Sequence, residues 1–133
     1  MITKAALLLF REFNGKKQLL FVKTHNRDFY IFPGGVQELN ENLESILHRE
    51  AKDNLDIEIE NIQKIGVSTG ATPSGVPLEM HLFAATQSQE PTAKNEIEKL
   101  WWMSRDEALQ NKELLTPIAL DEVFPLLEDK KVW

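Results

Sequence analysis

A strand, a pair of glycines and an amphipathic helix follow one another in the first half of the chain. The sequence Pro-Gly-Gly at residues 33–35 ends a short aromatic run, and apolar residues then recur at helical spacing from Leu43 to about Leu55. Asn42 is a suitable N-cap for this helix. The glycines allow a tight turn and let backbone carbonyls approach a ligand closely. The stretch therefore predicts a strand–turn–helix unit beside a binding site.

The predicted helix carries an acid inside its own apolar arc. With Ile46 placed at 0° and about 100° per residue, Glu50 falls near 40°, Asn54 near 80° and Asp53 near 340°. A carboxylate buried among leucines costs several kcal/mol unless it has a positive partner or a metal. The alternative is a Glu50 at the rim of the apolar stripe, with its carboxylate reaching water or Arg49.

Oxygen-rich groups at this spacing suit a particular kind of cation. A glycine pair followed by polar acids at positions i, i+3 and i+4 of a helix supplies carboxylates and backbone carbonyls. Magnesium prefers such ligands and usually keeps substrate phosphates as further ones. A plain tight turn with no ligand is the alternative explanation for the glycines.

The remaining segments alternate between strand and helix patterns. We predict further strands at residues 4–10, 18–23, 29–32, 57–69, 78–86 and 97–103, with loops at 70–77 and 87–95. The first strand is apolar throughout, as expected for burial on both faces. Ser104 with Glu107 forms a capping box, and Thr116 opens a last helix that Pro125 kinks or divides. This order predicts one mixed α/β domain with helices on both faces of a sheet.

Composition excludes several classes of function. The chain has 133 residues, of which 42% are hydrophobic, so it can bury a single core. A net charge of −6 argues against a DNA- or RNA-binding surface and against an anionic-membrane binder. The absence of cysteine excludes disulfides, thiolate zinc sites and cysteine nucleophiles. Without a signal peptide or an apolar stretch of about 20 residues, we expect a cytoplasmic protein.

Residues 35–57 resemble the Nudix box, G-x5-E-x7-R-E-U-x-E-E-x-G-U, in which U is an aliphatic residue. The matching positions, in register over 23 residues, are Gly35, Glu41, Arg49, Glu50 and Ile57. Ala51 stands in for an aliphatic residue, Asp53 and Asn54 replace the paired glutamates, and Asp56 replaces the late glycine. The resemblance extends to the preceding Pro-Gly-Gly and to the strand from Glu96 to Trp102.

This resemblance implies a fold and an activity. Nudix proteins form an α/β/α sandwich around a central mixed β-sheet, here one domain over residues 1–133. They typically use Mg2+ or Mn2+ to cut the pyrophosphate bond of a nucleoside diphosphate linked to another group. Carried over by position, the implied metal ligands are Gly35, Glu50, Asp53 and Asn54. The implied catalytic set adds Arg49 with Glu41, which would orient the site, and a general base for which Glu96 is a better candidate than Glu90.

The departures from the box leave two hypotheses open. Asp53 is one methylene shorter than glutamate, and Asn54 is shorter and uncharged. The chain is therefore either a hydrolase with fewer or weaker metal sites, or a Nudix-fold module that binds or senses a nucleotide. Asp56 must also adopt the left-handed conformation that glycine favours at a helix end.

The substrate is specified only in outline. Lys23 and Arg27 precede the Pro-Gly-Gly stretch and are candidates for phosphate contacts, with solvated surface charge as the alternative. Tyr30 is a candidate for stacking on a base, although aromatic residues in strands more often belong to the core. A small-molecule nucleotide is the expected partner, and dimer formation, common in this family, stays open.

Overall fold

A computed structural model describes the whole chain, Met1–Trp133, as six strands and three α-helices. The strands are β1 (Ile2–Phe13), β2 (Lys16–Thr24), β3 (Gly34–Val36), β4 (Ile59–Ala71), β5 (Pro77–Gln87) and β6 (Ile97–Ser104). The helices are α1 (Leu43–Leu55), α2 (Arg105–Gln110) and α3 (Phe124–Asp129). None of the helices has the length and apolarity needed to cross a membrane.

Strand β1 is the centre of one mixed sheet with the order β4-β5-β1-β2-β6. It runs parallel to β5 and antiparallel to both β2 and β3. Its second half, Phe10–Phe13, pairs with β2, whereas its first half, Lys4–Ala6, pairs with β3. The predicted mixed sheet is confirmed, and β3 lies beside the first half of β1, off the main strand order.

The sheet is covered on both faces because the residues of β1 alternate between two cores. Ala5, Leu7 and Leu9 pack in one cluster with four apolar residues of α1, namely Ile46, Leu47, Ala51 and Leu55. Ala6 and Leu8 pack in the other cluster with residues of α2 and α3, among them Ala108, Phe124 and Leu127. Each buried leucine contributes roughly 1.5–3 kcal/mol. The predicted α/β/α sandwich is confirmed.

Helix α1 begins and ends as its sequence indicates. The side-chain oxygen of Asn42 accepts a hydrogen bond from the backbone N–H of Ser45 at 3.2 Å, as an N-cap does. At the other end Asp56 has φ 56° and ψ 41°, and its N–H donates to the carbonyl of Ala51. Aspartate is one of the few residues that tolerates this left-handed conformation. The substitution in the glycine position of the box is therefore accommodated.

The glycine pair lies in a strand rather than in a turn. The strand predicted at residues 29–32 is wrong, since Tyr30 and Ile31 form only isolated bridges. Gly34 and Gly35 instead belong to β3. A Cβ atom at Gly34 would overlap the carbonyl oxygen of Ala5, and φ there is +142°. Close packing against β1, rather than turn geometry, requires glycine at this position.

The structure also gives more exact bounds for the loop between β4 and β5 and for the C-terminal helix. The loop predicted at residues 70–77 is shorter, because Gly70 and Ala71 extend β4 and Pro77 opens β5. The C-terminal helix is divided, as Pro125 indicated: a π-helical segment, Ala119–Val123, precedes α3. The Ser104 cap is confirmed by a 3.2 Å hydrogen bond from the N–H of Glu107.

Candidate active site

A cavity of about 1010 Å³ opens between β3, the end of α1 and the loops that follow β2 and β4. Six residues predicted for the site line it: Gly35, Arg27, Arg49, Glu50, Asn54 and Glu96. Four other predicted residues do not line it: Glu41, Asp53, Lys23 and Tyr30. The structure thus brings together four residues of the box, one loop acid and one loop arginine.

Gly35 and Glu50 lie against each other at one end of this cavity. A Cβ atom at position 35 would lie 2.8 Å from Oε1 of Glu50 and 3.0 Å from Cγ2 of Ile46. Only a residue without a side chain allows α1 to approach β3 this closely. The backbone of Gly35 is therefore adjacent to the Glu50 carboxylate.

Glu50 is a half-buried carboxylate with an abnormal protonation equilibrium. Burial raises the pKa of Glu50 above its usual value, and the negative charge of Glu96 raises it further. The positive charge of Arg49 and a hydrogen bond from the side-chain amide of Asn54 act in the opposite direction. The helical-wheel prediction that an acid lies within the apolar arc of α1 agrees with this burial.

Asn54 and Asp53 occupy the positions of the acidic pair, but neither brings a carboxylate into the cavity. The amide nitrogen of Asn54 donates to Oε2 of Glu50, so this side chain orients Glu50. The side chain of Asp53 is exposed, and its backbone carbonyl accepts a hydrogen bond from Asn95. Asp56 also points away and lies 3.7 Å from Nζ of Lys94.

Arg49 and Glu41 form the ion pair that the resemblance implied. Nη1 of Arg49 donates to Oε2 of Glu41 at 2.6 Å, which lowers the pKa of Glu41 and raises that of Arg49. The other carboxylate oxygen of Glu41 accepts from the N–H of Glu38 at 3.2 Å. This pair connects the loop that enters α1 to the middle of the helix.

The two loop acids considered as general bases occupy different environments. Glu96 lines the cavity and lies near enough to Glu50 to raise its pKa. Glu90 has a largely exposed side chain, and its carboxylate lies 3.9 Å from Arg11. The geometry therefore favours Glu96 over Glu90.

Of the three predicted substrate contacts, only Arg27 reaches the cavity. Its guanidinium also lies 5.5 Å from the centre of the Phe29 ring. Lys23 is instead paired with Glu98 across the β2–β6 strand pair. The ring of Tyr30 packs edge-on against Trp101 with a centroid distance of 5.3 Å, as a core aromatic does. Lys23 and Tyr30 thus have protein partners away from the cavity.

Lys4 is a cavity residue that sequence reasoning missed. Its half-buried ammonium donates to the carbonyl oxygen of Phe32 at 3.1 Å. Burial lowers the pKa of Lys4 to about 8, with a smaller lowering by Arg27 and an opposing effect of Glu50. The available signal was a lysine on the same face of β1 as Ala6 and Leu8.

The oxygen donors at the Glu50 end suit a hard cation shared with a substrate. Glu50 and Glu96 supply carboxylates, and the backbone of Gly35 lies directly beside Glu50. No three aspartate, glutamate or histidine side chains are grouped closely enough to hold a cation by themselves. Magnesium commonly binds through one or two carboxylates together with water and substrate phosphates. The donor set fits that kind of binding.

The NUDIX domain family matches residues 2–127 of this chain. The chain belongs to the Nudix family. It is similar in structure to the E. coli ORF135 protein, with 27% identity, a TM-score of 0.71, and coverage of 96% of this chain and 91% of that one. The Nudix box of residues 35–57 therefore lies within a Nudix fold.

More distant relatives share the fold of this Nudix domain. A C. elegans Ap4A hydrolase, solved as a binary complex, is 18% identical with a TM-score of 0.75, and the match covers 98% of this chain and 96% of that one. The Nudix domain of Shewanella oneidensis NrtR, solved with ADP ribose, is 16% identical with a TM-score of 0.73, covering 98% and 87%. At this identity the likeness establishes the fold alone.

Proposed function

We propose that this Nudix domain is a metal-dependent hydrolase that cleaves the diphosphate bond of a nucleoside diphosphate linked to another group. The observation that carries the proposal is the half-buried Glu50 carboxylate held against Gly35 at the end of a large cavity. A desolvated acid with a perturbed pKa in a cleft is typical of a functional site. Family membership supports a hydrolase, and the cavity is large enough for a nucleotide.

The charged residues of the site have distinct roles in this proposal. Arg27 and Arg49 present positive charge to phosphate oxygens, and Glu41 holds Arg49 in place through its ion pair. Asn54 fixes the orientation of Glu50 through its amide. Glu50 and the backbone of Gly35 would hold Mg2+ or Mn2+, which, when bound, supplies charge neutralisation at phosphorus and an acidified water.

Glu96 is the proposed general base. It shares the cavity with Glu50, and its negative charge contributes to the raised pKa of Glu50. A carboxylate in that position can accept a proton from a water near the phosphate. Glu96 lies on the loop before β6, outside the helix that carries Glu50.

A nucleotide-binding module is the second candidate, and the acidic-pair positions favour it. Asn54 donates to Glu50 rather than adding a charge, and the side chain of Asp53 is exposed. Fewer carboxylates bind divalent cations more weakly. A Nudix domain of NrtR has been solved with ADP ribose, which shows that a protein of this fold holds such a ligand. In this case the cavity would bind nucleotides with little turnover.

Hydrolysis by wild-type protein and by the Glu50→Gln variant separates these candidates. The assay measures product release by chromatography from a panel of nucleoside diphosphate derivatives, with Mg2+ or with a chelator. We expect Mg2+-dependent hydrolysis that falls about 100-fold or more in the variant, because a charged ligand of the cation is lost. Glu58→Gln is the matched control, because Glu58 is exposed on the surface.

Each outcome of that assay has a defined meaning. Near-normal turnover in Glu50→Gln with a folded protein would rule out the assigned site. Wild-type protein that binds nucleotides in calorimetry but releases no product would establish the binding-module candidate instead. Equal losses in Glu50→Gln and Glu58→Gln would point to a general effect of charge.

A further inference from the structure

Lys4 lies on the opposite face of β1 from the Glu50 end of the cavity. Side chains alternate along a strand, so Lys4 shares its face with Ala6 and Leu8. Those two residues pack in the core under α2 and α3. Glu50 is on α1, which packs on the other face. The cavity therefore reaches around the edge of the sheet at β3 and contains two chemically different regions.

The cavity is bounded by apolar side chains on the face of the sheet that carries Lys4. We call the following lining residues, which all belong to or pack against the core cluster on that face, the apolar wall: Ile2, Phe32, Leu78, Met80 and Ile118. Met80 is the direct neighbour of Lys4 across the β1–β5 pair. Binding sites for flat organic groups are built in this way, from mostly apolar side chains with a few polar groups that fix orientation.

The ammonium of Lys4 has unused hydrogen-bonding capacity. It has three N–H donors, and the carbonyl oxygen of Phe32 accepts one of them at 3.1 Å. No carboxylate lies within ion-pair distance of Lys4. Burial lowers the pKa of Lys4 to about 8, although the charge of Glu50 acts in the opposite direction. At neutral pH the group is nevertheless still largely protonated.

We propose that Lys4 is a specificity-determining residue that donates hydrogen bonds to an oxo group of a nucleobase lying on the apolar wall. The inference rests on the proposed nucleotide substrate and extends it to the identity of the base. An oxo group accepts from the ammonium, whereas an exocyclic amino group at the same position would place one donor against another. A site built to hydrogen-bond one group discriminates strongly against an analogue that lacks it.

Binding of matched nucleotide pairs tests this inference. Inosine and adenosine diphosphates differ by an oxo or an amino group at one ring position, as do uridine and cytidine diphosphates. Affinities are measured by calorimetry with a chelator present, so the result does not depend on hydrolysis. We expect wild-type protein to bind at least one oxo partner about tenfold more tightly than its amino analogue, as a hydrogen bond to a charged group allows.

Lys4→Met should abolish the oxo preference, because methionine keeps most of the length of the side chain and removes its donors. Lys52→Met is the matched control, because Lys52 is an exposed lysine on α1 with 72% of its side chain accessible. Equal affinity within both pairs in wild-type protein would overturn the inference, as would a preference that survives in Lys4→Met. So would failure of all four diphosphates to bind. Oxo preference without hydrolysis of any substrate would leave this inference intact and refute the proposed hydrolase.

Discussion

Glu50 is both a proposed metal ligand and a carboxylate whose negative charge is disfavoured by burial. Its pKa is raised above the ordinary 4.5 chiefly by burial, so ionised Glu50 destabilises the folded state at pH 7. We expect Glu50→Gln to unfold in urea with a free energy roughly 0.5–1 kcal/mol higher than wild type at pH 7, a modest value because the group is only half-buried. The glutamine side chain of this variant would still accept the hydrogen bond from Asn54.

This stability difference should depend on pH with a definite sign. Above the raised pKa of Glu50 the carboxylate is ionised in both folded and unfolded chains, so the destabilisation is fully present. As the pH falls through that raised pKa and below 4.5, Glu50 becomes protonated first in the folded and then in the unfolded chain. The difference in free energy of unfolding between Glu50→Gln and wild type should therefore decline. Unfolding curves at pH 7 and pH 4 measure it. A constant or growing difference toward low pH would contradict the assigned cause.

A carboxylate can also be added to the site instead of removed, at position 54, where the Nudix box has a glutamate and this chain has asparagine. Asn54→Glu replaces an amide donor with a second acid one turn from Glu50, so without metal we expect a loss of about 1 kcal/mol in stability. Added Mg2+ should reverse the sign, since a ligand that binds only the folded chain stabilises it. Melting temperature against Mg2+ concentration measures both effects, with Asn54→Gln as the control. If Mg2+ raises the melting temperature equally in all three proteins, residue 54 does not face the cation.

At the scale of elements, the site depends on how closely β3 approaches its neighbours. A Cβ atom at Gly35 would meet the side-chain ends of Glu50 and Ile46, whereas one at Gly34 would meet the backbone of Ala5. We therefore expect Gly35→Ala to fold but to lose hydrolysis about tenfold or more, as Glu50 is displaced. Gly34→Ala should lose about 3 kcal/mol or more of stability, because backbone cannot yield easily.

Gly75→Ala provides the control for both glycine variants. Gly75 has φ +91°, but no atom lies within 4 Å of a Cβ atom built there. Only backbone strain applies, so a loss of roughly 1 kcal/mol with full activity is expected. Unfolding curves and hydrolysis rates of the three variants distinguish strain from close packing. Equal stability losses at Gly34 and Gly75 would show that packing against β1 is unimportant.

The sequence predicted some elements well because their signals are local. Helix α1 has its N-cap, apolar spacing and end within one stretch, and β1 is a continuous apolar run. Strand β3 was missed because glycines carry no strand signal, and only pairing with Lys4–Ala6, far away in sequence, makes them a strand. The packing of Tyr30 could not be predicted for the same reason, because its partner Trp101 lies far away in sequence on β6.

At the scale of the whole molecule, the order of elements was sufficient to predict a sandwich but not the interior of the cavity. The Nudix box carries Gly35 and Glu50, so one end of the site could be predicted from a single segment. The apolar wall cannot be predicted in this way, because it combines residues from β1, from β5 and from the segments before β3 and α3. The position of Lys4 in the cavity can be recognised only once the fold brings these segments together.

Because side chains alternate along β1, adjacent residues of this strand face different regions and can be substituted independently. Ala5 supports the glycines beside Glu50, and a larger residue there would disturb the end of the cavity where the chemistry is proposed. Lys4, one position away, faces the other region and donates its hydrogen bond to Phe32 rather than to Glu50. Substitutions at position 4 can therefore alter ligand preference while the reaction centre is preserved. A fold with this arrangement can diversify its substrates through single changes on one side of one strand.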